Sequence, residues 1–191
     1  MNKNNYKIYV YANIVLFVLA VVTLALFVKP TKFREWLTII TKSISIVVFL
    51  SFIFVKWLWK CKWFYPWLVP FPNLSGKWEG VIKTTYQGND MNIPLEVGIT
   101  QTFFQITVRL KTGESKSISN GAYFPMDIDG KVSCLYYSYV NTPIPDVRDR
   151  SVIHYGTTRL DFDNYPVDRL NGEYWTSRQS VGRIELKKII D

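Results

Sequence analysis

Zinc binding, a Ser-His-Asp triad and general-base catalysis near neutral pH all draw on histidine, and this chain has one, His154, on an alternating run beside Gly156. A single imidazole without ligand-bearing neighbours assembles none of these, so no metal site and no catalytic site are expected. Cys61 and Cys134 are far apart and fit neither a metal nor a redox spacing. They form no disulfide framework, which points to a reducing compartment. Asp127-Ile128-Asp129-Gly130 opens like a calcium loop but lacks the ligand-bearing continuation and closing Glu, and it reads as a hairpin turn. Asp161 and Asp163 share strand parity and could pair as acid and base, yet Leu160 and Phe162 on the other parity turn them toward water. Arg148 and Arg150 alternate with Asp146 and Asp149, leaving little net pull on a phosphate. With no glycine-rich phosphate loop either, the chain reads as a non-enzyme that carries no cofactor.

What remains is recognition chemistry. Tyr139 and Asn141 share the parity of one predicted strand, and Tyr174, Thr176 and Arg178 share that of another. Together they would place aromatic faces, an amide, a hydroxyl and a guanidinium around an anionic or heterocyclic guest. The same residue types also serve as solvated strand ends on any barrel rim. Arg159 is a further candidate, because a guanidinium suits a phosphate, although its parity with Thr157 sets it on the face opposite Leu160.

Strands must position these side chains. From Ser75 onward the hydrophobic pattern alternates, and short runs are separated by Gly, Asn, Asp and Pro. It predicts eight strands, roughly over 77–86, 93–101, 104–111, 116–123, 131–140, 152–162, 170–177 and 183–189, with no helix between them. Gln87-Gly88-Asn89-Asp90, Thr112-Gly113-Glu114 and Asp127 to Gly130 suit hairpin turns, which gives an antiparallel up-and-down order. Such a domain hides its edges most economically by closing into a small eight-stranded barrel, with a sandwich as the alternative. The traced faces include Trp78, Gly80 and Ile82; Leu95, Val97, Ile99 and Gln101; Phe104, Ile106, Val108 and Leu110; and Leu135, Tyr137, Tyr139 and Asn141. Leu170, Gly172, Tyr174, Thr176 and Arg178 make another, followed by Gly182, Ile184 and Leu186. They run from apolar to polar, as in a barrel with an apolar base and a polar, aromatic mouth.

The segment ahead of this domain is of another kind. Residues 1–73 hold nine Lys or Arg and one acid, Glu35, whereas residues 74–191 hold fourteen of each sign, so the formal charge of +8 resides in the first part. There the cations flank apolar runs, which is topology rather than affinity for duplex nucleic acid. Tyr9–Val28 is uncharged over twenty residues, about 30 Å as a helix, and 37–55 is broken only by Lys42. Both read as transmembrane helices. Lys42 would extend its ammonium to the headgroups or pair within an oligomer, and Ser43, Ser45 and Ser51 hint at helix association. The connection, Lys29 to Glu35, is a hairpin, so both termini lie on one side, and Lys3, Lys7, Lys56, Lys60 and Lys62 place that side in the cytoplasm. Trp57, Trp59, Trp63, Phe64, Tyr65 and Trp67 form an interfacial aromatic cluster, and Pro66, Pro70 and Pro72 stiffen the way out. The expected division is a helix hairpin with linker over 1–73 and a cytoplasmic β-barrel over 74–191.

This layout resembles the membrane-anchored β-barrel effectors of bacterial CBASS antiphage defence, the SMODS-associated two-transmembrane β-strand-rich family. Leu74-Ser75-Gly76-Lys77-Trp78-Glu79-Gly80, Tyr137-Ser138-Tyr139-Val140-Asn141-Thr142-Pro143, Leu170-Asn171-Gly172-Glu173-Tyr174 and Gly182-Arg183-Ile184-Glu185-Leu186 carry the likeness. The resemblance implies a barrel that binds a cyclic di- or trinucleotide made by a partner nucleotidyltransferase. It further implies that binding drives homo-oligomerisation of the membrane helices and disruption of the inner membrane. It transfers no binding residues. Two other readings stand beside it: a tethered carrier of a lipid or other apolar guest, with a cavity lined by Phe104, Ile106 and Leu135, and a purely structural membrane assembly module.

Overall fold

The structure is a computed structural model that describes residues 3–86, 89–127, 131–163 and 165–189. The expected turn residues Gln87 and Gly88, and Ile128 to Gly130 of the loop that begins like a calcium site, lie outside the described residues. The chain forms two compact units, Lys3–Val69 and a second that begins at Pro70.

In the first unit the two apolar runs are helices, α1 (Lys3–Val28) and α2 (Phe33–Lys56), both long and apolar enough to cross a membrane. Pro30 cannot continue α1 with its missing N–H. Glu35 then caps the start of α2, its Oε2 accepting from the backbone N–H groups of Thr31 (2.7 Å) and Lys32 (3.1 Å). The helices run antiparallel, with Tyr9 stacked on Phe54 at 6.2 Å and the Ser51 hydroxyl bonded to Asn13 Oδ1. Of the three serines in α2, only Ser51 makes such a cross-helix bond among the described residues. Ser45 bonds back to the Thr41 carbonyl at 3.1 Å, and Ser43 lies on the buried face with Ile39. Lys42 is exposed and makes no ion pair among the described residues. Beyond α2 the chain tightens into two 3₁₀ turns, Leu58–Lys60 and Lys62–Phe64, with Trp57, Trp63 and Trp67 exposed.

The second unit is a closed barrel of eight antiparallel strands: β1 (Gly76–Tyr86), β2 (Asn89–Gln101), β3 (Ile106–Thr112), β4 (Ser115–Tyr123), β5 (Cys134–Pro143), β6 (His154–Asp161), β7 (Arg169–Thr176) and β8 (Val181–Lys188). Each strand pairs with its successor and β8 pairs with β1, so no edge is left open. The sandwich alternative is thereby removed. The lower half is packed with side chains, among them Trp78, Val97, Val108, Leu135, Leu160 and Leu170, all essentially out of solvent. Eight strands enclose an interior just wide enough for packed side chains or one small guest, and at the base these side chains occupy it.

Two residues of the expected inner faces sit elsewhere. A tight turn, with the Thr102 N–H donating to the Gln105 carbonyl at 2.8 Å, delays β3 until Ile106. Phe104 falls in that turn and is exposed, while its neighbour Phe103 fills the core beside Phe71 at 5.8 Å. Gln101 does face inward, but at the base rather than the mouth. Its Oε1 accepts from the Leu74 N–H at 2.8 Å and its Nε2 donates to the Pro72 carbonyl at 3.0 Å, while the Trp78 indole N–H donates to the Leu74 carbonyl at 3.0 Å. One side-chain amide thus supplies the partners that an irregular, buried, proline-rich segment cannot find in a ladder. Gln101→Leu leaves a buried N–H and a buried carbonyl unpaired, and it is expected to lower stability by about 2–3 kcal/mol. Urea unfolding of the full chain checks this: the midpoint should fall with the slope unchanged.

Candidate ligand-binding mouth

At the end opposite Gln101 the strands are joined by hairpin tips, and two of these close by the same local chemistry. Thr112 Oγ1 accepts from the Ser115 N–H at 3.1 Å and lies 3.1 Å from the Ser115 hydroxyl, shaping the β3–β4 turn. Thr176 Oγ1 accepts from the Ser180 N–H at 3.3 Å and lies 2.6 Å from its hydroxyl in the β7–β8 turn. The longer β5–β6 loop is fastened to both neighbours. Its Ile144 N–H donates to the Glu114 carbonyl at 2.9 Å, Arg150 pairs with Glu114 at 2.5 Å, and Arg178 Nη1 donates to Ser151 Oγ at 3.0 Å. Three hairpin tips thus form one collar.

Inside the collar the register sets the side chains in layers. Ser117, Asn141 and His154 lie abreast on β4, β5 and β6. Below them come Tyr139, Gly156 and Thr176, then Tyr137, Thr158, Tyr174 and Gly182. The glycines are there for the tyrosines. The tip of the Tyr139 ring occupies the space a side chain at Gly156 would take, and a Cβ on Gly182 would stand 2.6 Å from the Tyr174 ring. Each aromatic therefore folds across to the neighbouring strand and lies against the wall.

Burial governs the charge states. It pushes the Tyr137 phenol up to about 12, an effect eased by Thr158. Tyr139 is raised as well, first by burial and then by the neighbouring Tyr137 and Tyr174. Both remain neutral O–H groups at physiological pH, which suits an anionic guest. His154 Nδ1 donates to the Val152 carbonyl at 2.9 Å. Burial lowers the His154 pKa, the Val152 bond opposes this, and the Arg178 charge lowers it further. The native state therefore binds fewer protons than the unfolded chain, whose imidazole titrates at about 6.5. This contribution to stability is complete above that value and is lost as pH falls through the depressed folded pKa. Thermal unfolding followed from about pH 7.5 down to about pH 5 should show wild type losing stability toward acid, and His154→Gln should flatten that slope.

Of the residues predicted from sequence, Tyr139, Asn141 and Tyr174 meet inside the mouth, half-buried. Thr176 faces the same way, but its hydroxyl is engaged in the turn. Arg178 stands in that turn, exposed, and makes no ion pair among the described residues. Arg159 is not with them. It lies on the outer wall, 2.8 Å from Asp161 and 6.0 Å over the Tyr136 ring, because the period-two alternation that turns Thr158 and Leu160 inward turns it outward. The sequence reading passed over Thr158 and Ser117. The signal for Thr158 is the alternation His154, Gly156, Thr158, Leu160, which repeats that of Tyr137, Tyr139 and Asn141 on the adjoining strand. An open depression of about 600 Å³ on the outer wall is lined by Glu79, Glu96 and Lys111 among others, and its two carboxylates disfavour an anion. Among the described residues no cluster of three His, Cys, Asp or Glu could hold a metal.

Fold and mouth together define a small closed barrel of the ligand-receptor kind, carried by a chain that begins with two membrane-length helices. Residues 69–188 match the family described as Cap15, cyclic dinucleotide receptor domain, and the chain belongs to that family. It is similar to the CD-NTase-associated protein 15 of Staphylococcus schleiferi, 29% identical over 154 residues that cover 81% of each chain. The protein of the same description from Escherichia albertii is 29% identical over 159 residues, covering 78% of this chain and 79% of that one.

Proposed function

We propose that this protein is a CBASS effector whose barrel receives a cyclic dinucleotide at its mouth and, once occupied, drives assembly of its membrane helices and failure of the bilayer. It acts as a receptor without catalysis. The observation that carries this reading is the mouth itself: tyrosines, an amide and Arg178, which makes no ion pair among the described residues, gathered in a barrel that matches a cyclic dinucleotide receptor domain. Aromatic faces stack on bases, and hydroxyls and a guanidinium meet ribose and phosphate without a competing carboxylate among the described residues of the inner layers. Residues 1–73 serve as anchor and linker, 74–191 as sensor, and Tyr139, Asn141, Tyr174, Thr176 and Arg178 line the approach.

The proposed location is the bacterial inner membrane, crossed twice, with both termini in the cytoplasm where the ligand is made. Calorimetry on the full chain in lipid nanodiscs, against 3′,3′-cyclic dinucleotides of each base pairing, tests the receptor claim. Binding of at least one of them is required. Dye release from vesicles carrying the chain, with and without that nucleotide, tests the membrane claim, and leakage independent of ligand would remove it.

A further inference from the structure

Thr158 is the polar group in the barrel least at ease with its surroundings. It is 1% exposed and its Oγ1 has no hydrogen-bond partner among the described residues. Directly abreast of it are Tyr137 on β5 and Tyr174 on β7, and one layer above stands Tyr139. Its hydroxyl is close enough to influence the Tyr137 and Tyr139 phenols, yet it completes an acceptable bond with neither. A buried hydroxyl without a partner is a cost to the folded state, and a valine of nearly the same shape would remove that cost.

Gly156 and Gly182 let the Tyr139 and Tyr174 rings lie back over the neighbouring strands, so the layers at and above Thr158 are lined by ring faces and hydroxyls. Hydroxyls both donate and accept, which matches the mixed edge of a heterocycle better than it matches a phosphate. The base below is closed by Leu135, Leu160 and Leu170, which sets how deep a guest can reach.

Resting on the receptor reading above, we propose that one nucleobase of the cyclic dinucleotide enters the barrel edge-first between Tyr139 and Tyr174, and that the Thr158 hydroxyl reads its polar edge. The phosphates remain at the collar near Arg178. Thr158 is thus a specificity-determining residue whose missing partner is supplied by the ligand.

The test uses the full chain in nanodiscs, with wild type, Thr158→Val and Thr158→Ser titrated by the cyclic dinucleotide panel and by inorganic pyrophosphate as a base-free anion. Thr158→Val is expected to melt at a higher temperature than wild type yet to bind the preferred dinucleotide about tenfold more weakly, with preference among bases reduced. Thr158→Ser should keep affinity within about threefold, and pyrophosphate should not distinguish the three proteins. Unchanged dinucleotide affinity in Thr158→Val overturns the inference. So does a lowered melting temperature or failure to fold, because either means that the hydroxyl already has a partner inside the protein. If wild type binds no cyclic dinucleotide at all, the receptor reading fails first and this inference with it. A wild type that binds while Thr158→Val behaves identically sinks only the inference.

Discussion

Gly172→Ala is expected to abolish the folded barrel, and Gly80→Ala to do the same, although each adds a single methyl group. Both glycines face inward where β7 and β1 bend around the packed base. A Cβ at Gly172 would overlap the carbonyl oxygen of Arg159 on β6, and one at Gly80 would overlap that of Glu185 on β8. The obstructing atoms belong to ladder backbone, so they cannot move aside as a flexible side chain would, and relief requires breaking the pairing that closes the barrel. The cost should reach about 3–5 kcal/mol, comparable to the whole stability of many small domains. Loss of the cooperative urea transition in the full chain, with Tyr and Trp fluorescence shifted to that of exposed rings, is the readout. Gly98→Ala is the control: nothing stands within 4 Å of its Cβ position, and the change should be neutral or stabilising by up to about 1 kcal/mol. If Gly172→Ala melted like Gly98→Ala, the tight inner wall described here would be wrong.

Much of this architecture is legible in the residue pattern because a strand's period is two and a membrane helix needs a long uncharged run. Alternation alone places Trp78, Val97, Val108, Leu135 and Leu170 in the core, and it assigns Tyr139, Asn141 and Tyr174 to one interior. The departures come where local chemistry interrupts the period. The Thr102–Gln105 turn delays the start of β3 and so exchanges Phe104 for Phe103, while Ile106, Val108 and Leu110 keep the predicted parity. Gln101 looks like a rim residue until the chain folds back and gives its amide Pro72 and Leu74 to hold. Arg159 attracted notice for its charge, whereas parity alone would have put it outside. Asn13 is silent in a run of apolar residues, and only the antiparallel pairing of the helices brings it to Ser51. Thr158 was missed for a different reason: a lone hydroxyl signals a site only when its lack of a partner is seen, and that is a property of the packed barrel.

Tyr139→Ala and Tyr174→Ala are each expected to weaken cyclic dinucleotide binding by about ten- to a hundredfold, the loss that follows when a base gives up its aromatic platform. Tyr139→Phe and Tyr174→Phe keep the ring and lose only a hydroxyl, so a smaller loss of about two- to tenfold should follow. The ordering ring over hydroxyl is the part that tests the geometry, because each ring is held flat by the glycine opposite, Tyr139 by Gly156 and Tyr174 by Gly182. Melting temperatures must be taken alongside, since removing either ring vacates the space over Gly156 or Gly182 and loosens the wall by itself. Arg159→Ala supplies the spatial control. Its guanidinium is engaged on the outer wall with Asp161 and Tyr136, so affinity should stay within about twofold of wild type. The reverse pattern, with Arg159→Ala crippled and both tyrosine variants intact, would move the ligand from the barrel's interior to its exterior. The guest would then lie against a surface where Glu173 and Asp161 stand beside the arginine, and an anion would have to be held there against two carboxylates.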